Sequence, residues 1–440
     1  MVSEESAEKI IDKIFALSKA DQTEVLFQGT NSALTRYANN HVHQNLAESS
    51  NFFSVRVLVG KKSGKISTNL YDDNSLENKL DLATQFAKTQ KDDPNYVPLV
   101  GKQQYTPMNL FFQSTASCSP DRRAEGVEKI TRPSQQRKLN SAGAFSVDEE
   151  LLIYATSAGA YASALSTLAN FNAMVMTENS SGWASEMNRD VDKIVPFDLG
   201  KIAQEKAEKG RKPKDLEPGK YTVILEPLAV STMLNDLGYG FSASAYQEKR
   251  SFLNEALGKK ICGENITLVD DPFHPEVIAL PFDLQGMPKK RVVLIEKGVA
   301  KSVVHDLVTA SQSQTESTGH GNPLPDPWGP YPQNLLLESG ESTLEEMIGS
   351  TKKGVLVTRF HYTGMIDPMK TLETGMTRDG TFWIENGRIA YPVKNLRFTQ
   401  SILDALSKVE LISRERKSVR GALVPALKIT EFEFSSSTLF

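Results

Sequence analysis

The sequence predicts an α+β fold: an N-terminal domain of duplicated helix–strands–helix units, then a C-terminal domain of mostly antiparallel β-sheet with a central helix. Three observations carry this. Apolar residues recur at helical spacing in several stretches before residue 212, and strand-like runs separate those stretches. The order helix, strands, helix occurs twice there. From residue 219 onward the apolar runs are rich in β-branched and aromatic residues, and one helical stretch interrupts them.

Residues 4–19 place Ile10, Ile11, Ile14, Phe15 and Leu17 at helical spacing. The runs TEVLFQ, ALTRYANNHVHQN, FFSVRVLVG and KISTNLY read as strands. EVLFQGT, within the first of these, resembles a protease site used in expression tags, but it alternates like a strand and is read as native sequence. SLENKLDLATQFAKTQ then sets Leu76, Leu80, Leu82 (or Ala83) and Phe86 on one helical face. A proline-bearing connector, YVPLVGKQQYTP, leads to the second unit.

Ser119, Pro120 and Asp121 make a helix entry, with the proline where a missing N–H costs little. DRRAEGVEKITR is that helix. Strands follow in KLNSAGAFSVDEELLIYATS, GAYASALSTLANFNAMVMT and SGWASEMN, and DLGKIAQEKAEKGRK closes the unit as a helix. The N-terminal domain thus spans 1–218, with an internal duplication over 1–105 and 118–212. The charged linker GRKPKDLEPGKY bounds it.

The C-terminal domain, 219–440, opens with the strand YTVILEP and a helix over 228–245. Strands are expected in EVIALPFD, KRVVLIEKGVAKSVV, GVLVTRFHYTG, TFWIENGRIAYPVKN and PALKITEFEFSS, with a hairpin turn at Asn386-Gly387. TESTGHGNPLPDPWGPYPQN is too long for a simple connector and reads as a packed surface loop.

Composition narrows the function. Hydrophobic content of 39% and charged content of 24% are those of a soluble globular protein. A net charge of −4 gives no basic footprint for nucleic acid. Two cysteines, Cys118 and Cys262, make no disulfide framework, which suits a reducing cytoplasm. The start, MVSEESAEKIIDKIF, is polar and acidic, unlike a signal peptide. No apolar run approaches the length of a membrane span.

Local motifs add little chemistry. GKKSGKIS has the wrong spacing for a phosphate-binding loop and joins two strands, so it reads as a hairpin turn. His41 and His43 share a strand face and could chelate a metal, but no third ligand is in sight. His305 and Asp306 are adjacent, and on a strand they face opposite ways. His274 reads as loop. His320 and His361 lie in irregular polar segments of the kind that line sites. Cys118 precedes a helix N-terminus but has no companion base in its neighbourhood of sequence.

The stretch LNDLGYGFSASAYQEKRSFLN, 234–254, is more telling. Val230, Leu234, Leu237 and Phe241 make an apolar helix face, and Pro227 fits the first turn. Gly238 and Gly240 signal a close backbone approach, a kink or an early helix end.

In their order and spacing, ALTRYANNHVHQN, LEPGKYTVILEPLAVSTML, STGHGNP and TRDGTFWIENGRIAYPVKN resemble the TldD/PmbA family, once described as modulators of DNA gyrase and now regarded as peptidases. The resemblance implies a two-domain dimer. It also implies, in the catalytic branch, a His-Glu-x-x-x-His helix and a late cysteine that hold zinc, with the glutamate as general base. Asn235, Asp236 and Gly240 stand at those helix positions, and no cysteine lies near FHYTGMIDP.

The resemblance therefore points to the metal-free branch, without cofactor or catalytic residues of its own. Such a chain would be one subunit of a cytoplasmic peptidase acting on unfolded or leader peptides, as a homodimer or beside a zinc-bearing TldD-like partner. Substrate or interface candidates are Arg36, Asn39, Asn40, Gln44, His320, His361, Arg378, Asp379 and Gly380. On a single strand Arg36 and Asn40 would share a face, as would Asn40 and Gln44. Two alternatives remain. One is a stand-alone peptidase drawing on His41, His43, His320, His361 or Cys118. The other, a DNA- or gyrase-binding module, is disfavoured by charge.

Overall fold

A computed structural model describes residues 1–419 and 421–438. The first half runs α1 (Glu4–Leu17), β1 (Gln22–Ala38), β2 (His41–Val59), β3 (Lys62–Thr68), α2 (Asp73–Thr89), α3 (Gln113–Ala116), α4 (Pro120–Gln136), β4 (Asn140–Thr156), β5 (Tyr161–Met176), β6 (Ser181–Asn188) and α5 (Pro196–Lys209). Its strands form one antiparallel sheet in the order β3-β2-β1-β4-β5-β6. The helix entry at Ser119 is as expected: its side chain accepts the Arg122 N–H, and Pro120 opens α4.

Helix packing on this sheet follows one device used twice. A Cβ on Gly64 of β3 would sit 2.1 Å from the Ala83 carbonyl of α2, and one on Gly182 of β6 would sit 2.1 Å from the Ala203 carbonyl of α5. Glycine on the strand and alanine on the helix let each pair of backbones approach closely. This corrects the expected face of α2. Ala83, Thr84 and Ala87 turn inward with Leu76 and Leu80, while Leu82 and Phe86 are each 55% exposed.

A second correction concerns ALTRYANNHVHQN, which is a hairpin rather than one strand. Asn39 (φ 51°) and Asn40 (φ 61°) form its turn, the left-handed pair that suits two-residue hairpin loops. Arg36 consequently lies opposite Gln44 across the ladder, and Asn40 shares a strand face with neither.

A buried charge cluster ties β1, β2 and β4 together. Arg56 donates to Glu24 at 3.1 and 2.7 Å, and the Tyr154 hydroxyl donates to the same carboxylate at 2.9 Å. All three side chains are buried. Glu24→Ala should cost about 3–5 kcal/mol, because it leaves Arg56 buried without a counter-charge. Urea denaturation checks this, and a loss no larger than that of an exposed pair would refute it.

The second half comprises β7 (Gly219–Leu225), α6 (Pro227–Gly238), α7 (Ala243–Gln247), β8 (Leu268–Asp270), β9 (Val292–Glu296), β10 (Val299–Ala300), α8 (Leu307–Gln312), β11 (Leu335–Leu337), α9 (Leu344–Gly349), β12 (Lys353–Asp367), β13 (Leu372–Glu385), β14 (Arg388–Pro392), β15 (Leu396–Ser401), α10 (Ile402–Ser407), β16 (Val409–Val419) and β17 (Ala422–Ser437). The sheet is mixed. β7 pairs parallel with β12 and antiparallel with β17, so the ladder β17-β15-β13-β12-β7 returns on itself. The Asn386-Gly387 turn joins β13 to β14, as its sequence foretold.

Three expectations fail here. EVIALPFD forms no strand. The helix over 228–245 stops at Gly238, passes through a 3-10 turn at Tyr239–Phe241 and resumes as α7. His305 is not on a strand either: its neighbour Asp306 caps α8 by accepting the Thr309 N–H.

Candidate functional site

The helix α6 leaves β7 directly, with Pro227 at its first position and Ala229, Val230, Met233, Leu234 and Leu237 buried. It packs on β12 and β17. Its polar residues face a different set of neighbours. The Asn235 amide donates to Ser231 Oγ at 3.4 Å, and the Asn235 carbonyl accepts from the Tyr331 hydroxyl.

Both glycines are demanded by neighbouring rings. A Cβ on Gly238 would sit 2.8 Å from the Tyr331 hydroxyl oxygen, and one on Gly240 only 2.1 Å from the Phe252 ring. Phe252 in turn packs edge-on against Phe241, with ring centroids 5.4 Å apart.

Asp236 faces Glu373 of β13. Asp236 Oδ2 and Glu373 Oε1 are fully buried, and neither receives a hydrogen bond from a donor group. Glu373 is only 1% exposed. Burial first, then the hydrogen bond and charge of Asp236, push its carboxyl up to about 9. Two carboxyls in contact without a cation hold one proton between them at neutral pH.

The donor set does not fit the zinc that the resemblance implies. Position 235 offers an amide, and position 240 has no side chain and no room for one. Cys118 and Cys262 are buried in separate cores of the first and second halves. Among the described residues no group of three or more His, Cys, Asp or Glu is placed to hold a metal ion. Burial, its first cause, raises the Cys118 thiol despite Arg122 and Arg123 nearby, so this thiol is not an activated nucleophile.

Two cavities lie along β6, which among the described residues pairs with β5 alone. The first, about 280 Å³, lies between the sheet and α6 and is lined by Asn170, Asn172, Trp183, Ser185, Thr232 and Arg359 among others. The second, about 670 Å³, opens where the two halves meet, with Ser181, Lys212, Arg378, Asp379, Gly380 and Lys394 in its lining. Between them stands a polar partition. Asp379 accepts from Ser181 Oγ at 2.5 Å and from Arg359, whose guanidinium lies 4.7 Å from the centre of the Trp183 ring.

The sequence candidates separate accordingly. Arg378, Asp379 and Gly380 line the larger cavity. Asn40 belongs to the hairpin, donating to the Leu139 carbonyl at 2.9 Å and accepting the Ser141 N–H at 2.8 Å, and Asn39 accepts from the Asn140 amide. Arg36 and Gln44 are exposed beside that turn, and neither belongs to the lining of these two cavities. His320 sits in the core, with Nδ1 2.9 Å from Thr318 Oγ1 and Nε2 3.1 Å from Asp270 but out of line for a hydrogen bond. His361 lies on β12 with its ring against Tyr362, away from both cavities. His41 and His43 are exposed.

Sequence reasoning passed over Trp183, Arg359, Phe252 and Glu373. The alternation of SGWASEMN was a usable signal for Trp183. Nothing local marked the other three.

Residues 218–436 match the model of the PmbA/TldA metallopeptidase C-terminal domain. The chain belongs to the PmbA/TldD family. Among PmbA/TldD relatives, it is 22% identical to the metalloprotease PmbA of Escherichia coli O157:H7 over 94% of this chain and 93% of that one. It is 26% identical to a metalloprotease of Methanocaldococcus jannaschii, over 56% of this chain and 54% of that one. The match thus spans about half the length of that relative. The crystal structure of TldE from Thermococcus kodakarensis has the same fold, with a TM-score of 0.89 at 20% identity, covering 98% of this chain and 99% of that one.

Proposed function

We propose that this PmbA/TldD chain is a peptide-binding subunit without a catalytic centre, which completes a cytoplasmic peptidase whose zinc-bearing partner performs hydrolysis of unfolded or leader peptides. The observation that carries this reading is the state of α6. The space that a side chain at 240 would occupy is filled by Phe252, and the carboxyl at 236 faces another carboxyl. Zinc needs three protein ligands and an open position for water, and without it a water is too weak an acid to supply hydroxide at neutral pH.

The cleft beside α6 nevertheless persists. Cavities between the first-half sheet and the second half leave room for an extended peptide, of the kind that proteins bind through its backbone with little regard to sequence. A partner also has surfaces to dock on. Among the described residues, the 41–51 stretch of β2 pairs with β1 alone, and Val42 and Leu46 are exposed there. Tyr362, Ile366 and Met369 are exposed at the β12–β13 hairpin.

Metal analysis of chain purified without chelator, paired with a peptidase assay on unfolded substrate, tests the proposal. The expected result is substoichiometric zinc and no cleavage alone, with cleavage on adding a family member that has an intact His-Glu-x-x-x-His helix. One zinc per chain with activity of its own would overturn it. Light scattering should show a dimer, alone or with that partner, and monomer in both cases would count against the subunit role.

A further inference from the structure

We propose that a third cavity, at the far end of β6, binds a small amphiphilic carboxylate, with the anion on Arg189 and the apolar body against the cavity's apolar walls. This site is independent of the peptide-binding reading.

The cavity, about 450 Å³, is enclosed by the connector before α3, the end of β6 and the loop after β8. Leu110 and Phe112 of the connector, Met187 of β6, and Phe273 and Ile278 of the loop make its walls mostly apolar. Few polar groups are set among them. That make-up and that size are those of a small-molecule pocket.

Charge selects an anion. Arg189 follows β6 directly, and its guanidinium donates to two neutral carbonyls, Thr167 of β5 at 3.4 Å and Ala279 of the second half at 2.5 Å. It makes no ion pair among the described residues. Burial, its first cause, pulls this guanidinium down to about 10, with Glu150 working the other way. The cavity wall thus holds a partly buried cation without a counter-ion, and a desolvated charge is costly until it is paired. A guanidinium fixed by two of its donors presents the others in the same plane, which suits a carboxylate.

Neighbouring groups add donors rather than acceptors. His274, also in the lining, accepts the Glu276 N–H on Nδ1 at 3.3 Å, and its Nε2 lies 3.3 Å from Arg416 Nη2. A neutral imidazole has one acceptor nitrogen, so one of these contacts sets donor against donor. Arg416 makes no ion pair among the described residues. Glu276 is the one carboxylate among the described lining residues, and it is exposed to solvent. One fork neutralises one negative charge. A monoanion with an apolar body therefore fits better than a phosphate, whose second charge would be left unpaired against apolar walls.

Titration calorimetry on the full chain at neutral pH tests this with octanoate, its neutral counterpart octanamide, and hexanoate. Octanoate is expected to bind about tenfold tighter than octanamide, and about tenfold tighter than the shorter hexanoate. Arg189→Gln should bring acid and amide to equal affinity. Because Arg189 also ties β5 to the second half, a second variant leaves it alone: Ile278→Trp fills the pocket and, with circular dichroism unchanged, should abolish binding of all three. Equal binding of acid and amide to the unmodified chain overturns the carboxylate site. So does a preference for the acid that persists in Arg189→Gln, which places the anion elsewhere. Octanoate binding untouched by Ile278→Trp, or no binding to the unmodified chain, overturns the pocket itself.

Discussion

Glu373→Gln is expected to raise stability at neutral pH and to flatten its decline toward alkaline pH. The native chain keeps a proton on Glu373 up to about 9, whereas an unfolded glutamate ionises near its ordinary 4.5. Between those values the unfolded chain binds fewer protons than the native one, so stability falls as pH rises. The contribution is fully present below the lower value and is lost as pH climbs through the upper one. Asp236 faces Glu373, and the Tyr331 hydroxyl nearby is pushed up to about 12 by burial. The tyrosine ionises beyond the window.

Glutamine has the shape of glutamate and offers a permanent donor to Asp236, so the variant retains the contact without titrating. The gain near pH ~8 should be on the order of a few kcal/mol. Urea midpoints of the two proteins across pH ~5 to ~9 decide the matter. Parallel curves would sink the idea, as would a variant less stable at every pH.

Restoring the family motif is expected to do harm. Asn235→His, Asp236→Glu and Gly240→His together write His-Glu-x-x-x-His into the segment, yet no zinc site should result. The Phe252 ring occupies the place of even a methyl group at 240. Tyr331 holds the Asn235 carbonyl, and α6 ends at Gly238, before the second histidine. Overpacking of this kind costs about 3 kcal/mol. Adding Phe252→Ala should recover part of that loss by opening the space. Thermal melts with and without zinc read both effects. A triple variant as stable as its parent, melting higher with zinc, would show that the site is open after all.

Much of the architecture was legible because its periods are strong. The first helices and the long strands of the first half lie close to where their spacing puts them. Leu82 and Phe86 misled because hydrophobicity was counted without the glycine that draws Ala83 and Ala87 against the sheet. The Asn39-Asn40 turn was readable from residue type but was hidden inside a run of strand formers. EVIALPFD has strand composition, yet a proline interrupts it and tertiary packing takes it into a loop.

The site is harder to read for a physical reason. Asp379 meets Ser181 of the other half, and Asp236 meets Glu373. Such encounters are set by how two sheets meet, and no local spacing records them. The three positions that the resemblance singles out, Asn235, Asp236 and Gly240, could be named from sequence because they fall within one short segment.

The double pairing of β7 has a consequence for synthesis. The first half can finish its sheet as soon as β6 has left the ribosome, since each of its strands pairs with one made by then. β7 has to wait. Leu225 lies beside Val357 and also beside Leu427, so its ladders close only after β12 and then β17 have emerged. Contacts so distant in sequence form slowly. For the whole interval a nascent chain carries a finished first half and an apolar strand with both edges bare. That interval is when a chaperone would be of most use to it, and when neighbouring chains on one message are most prone to aggregate.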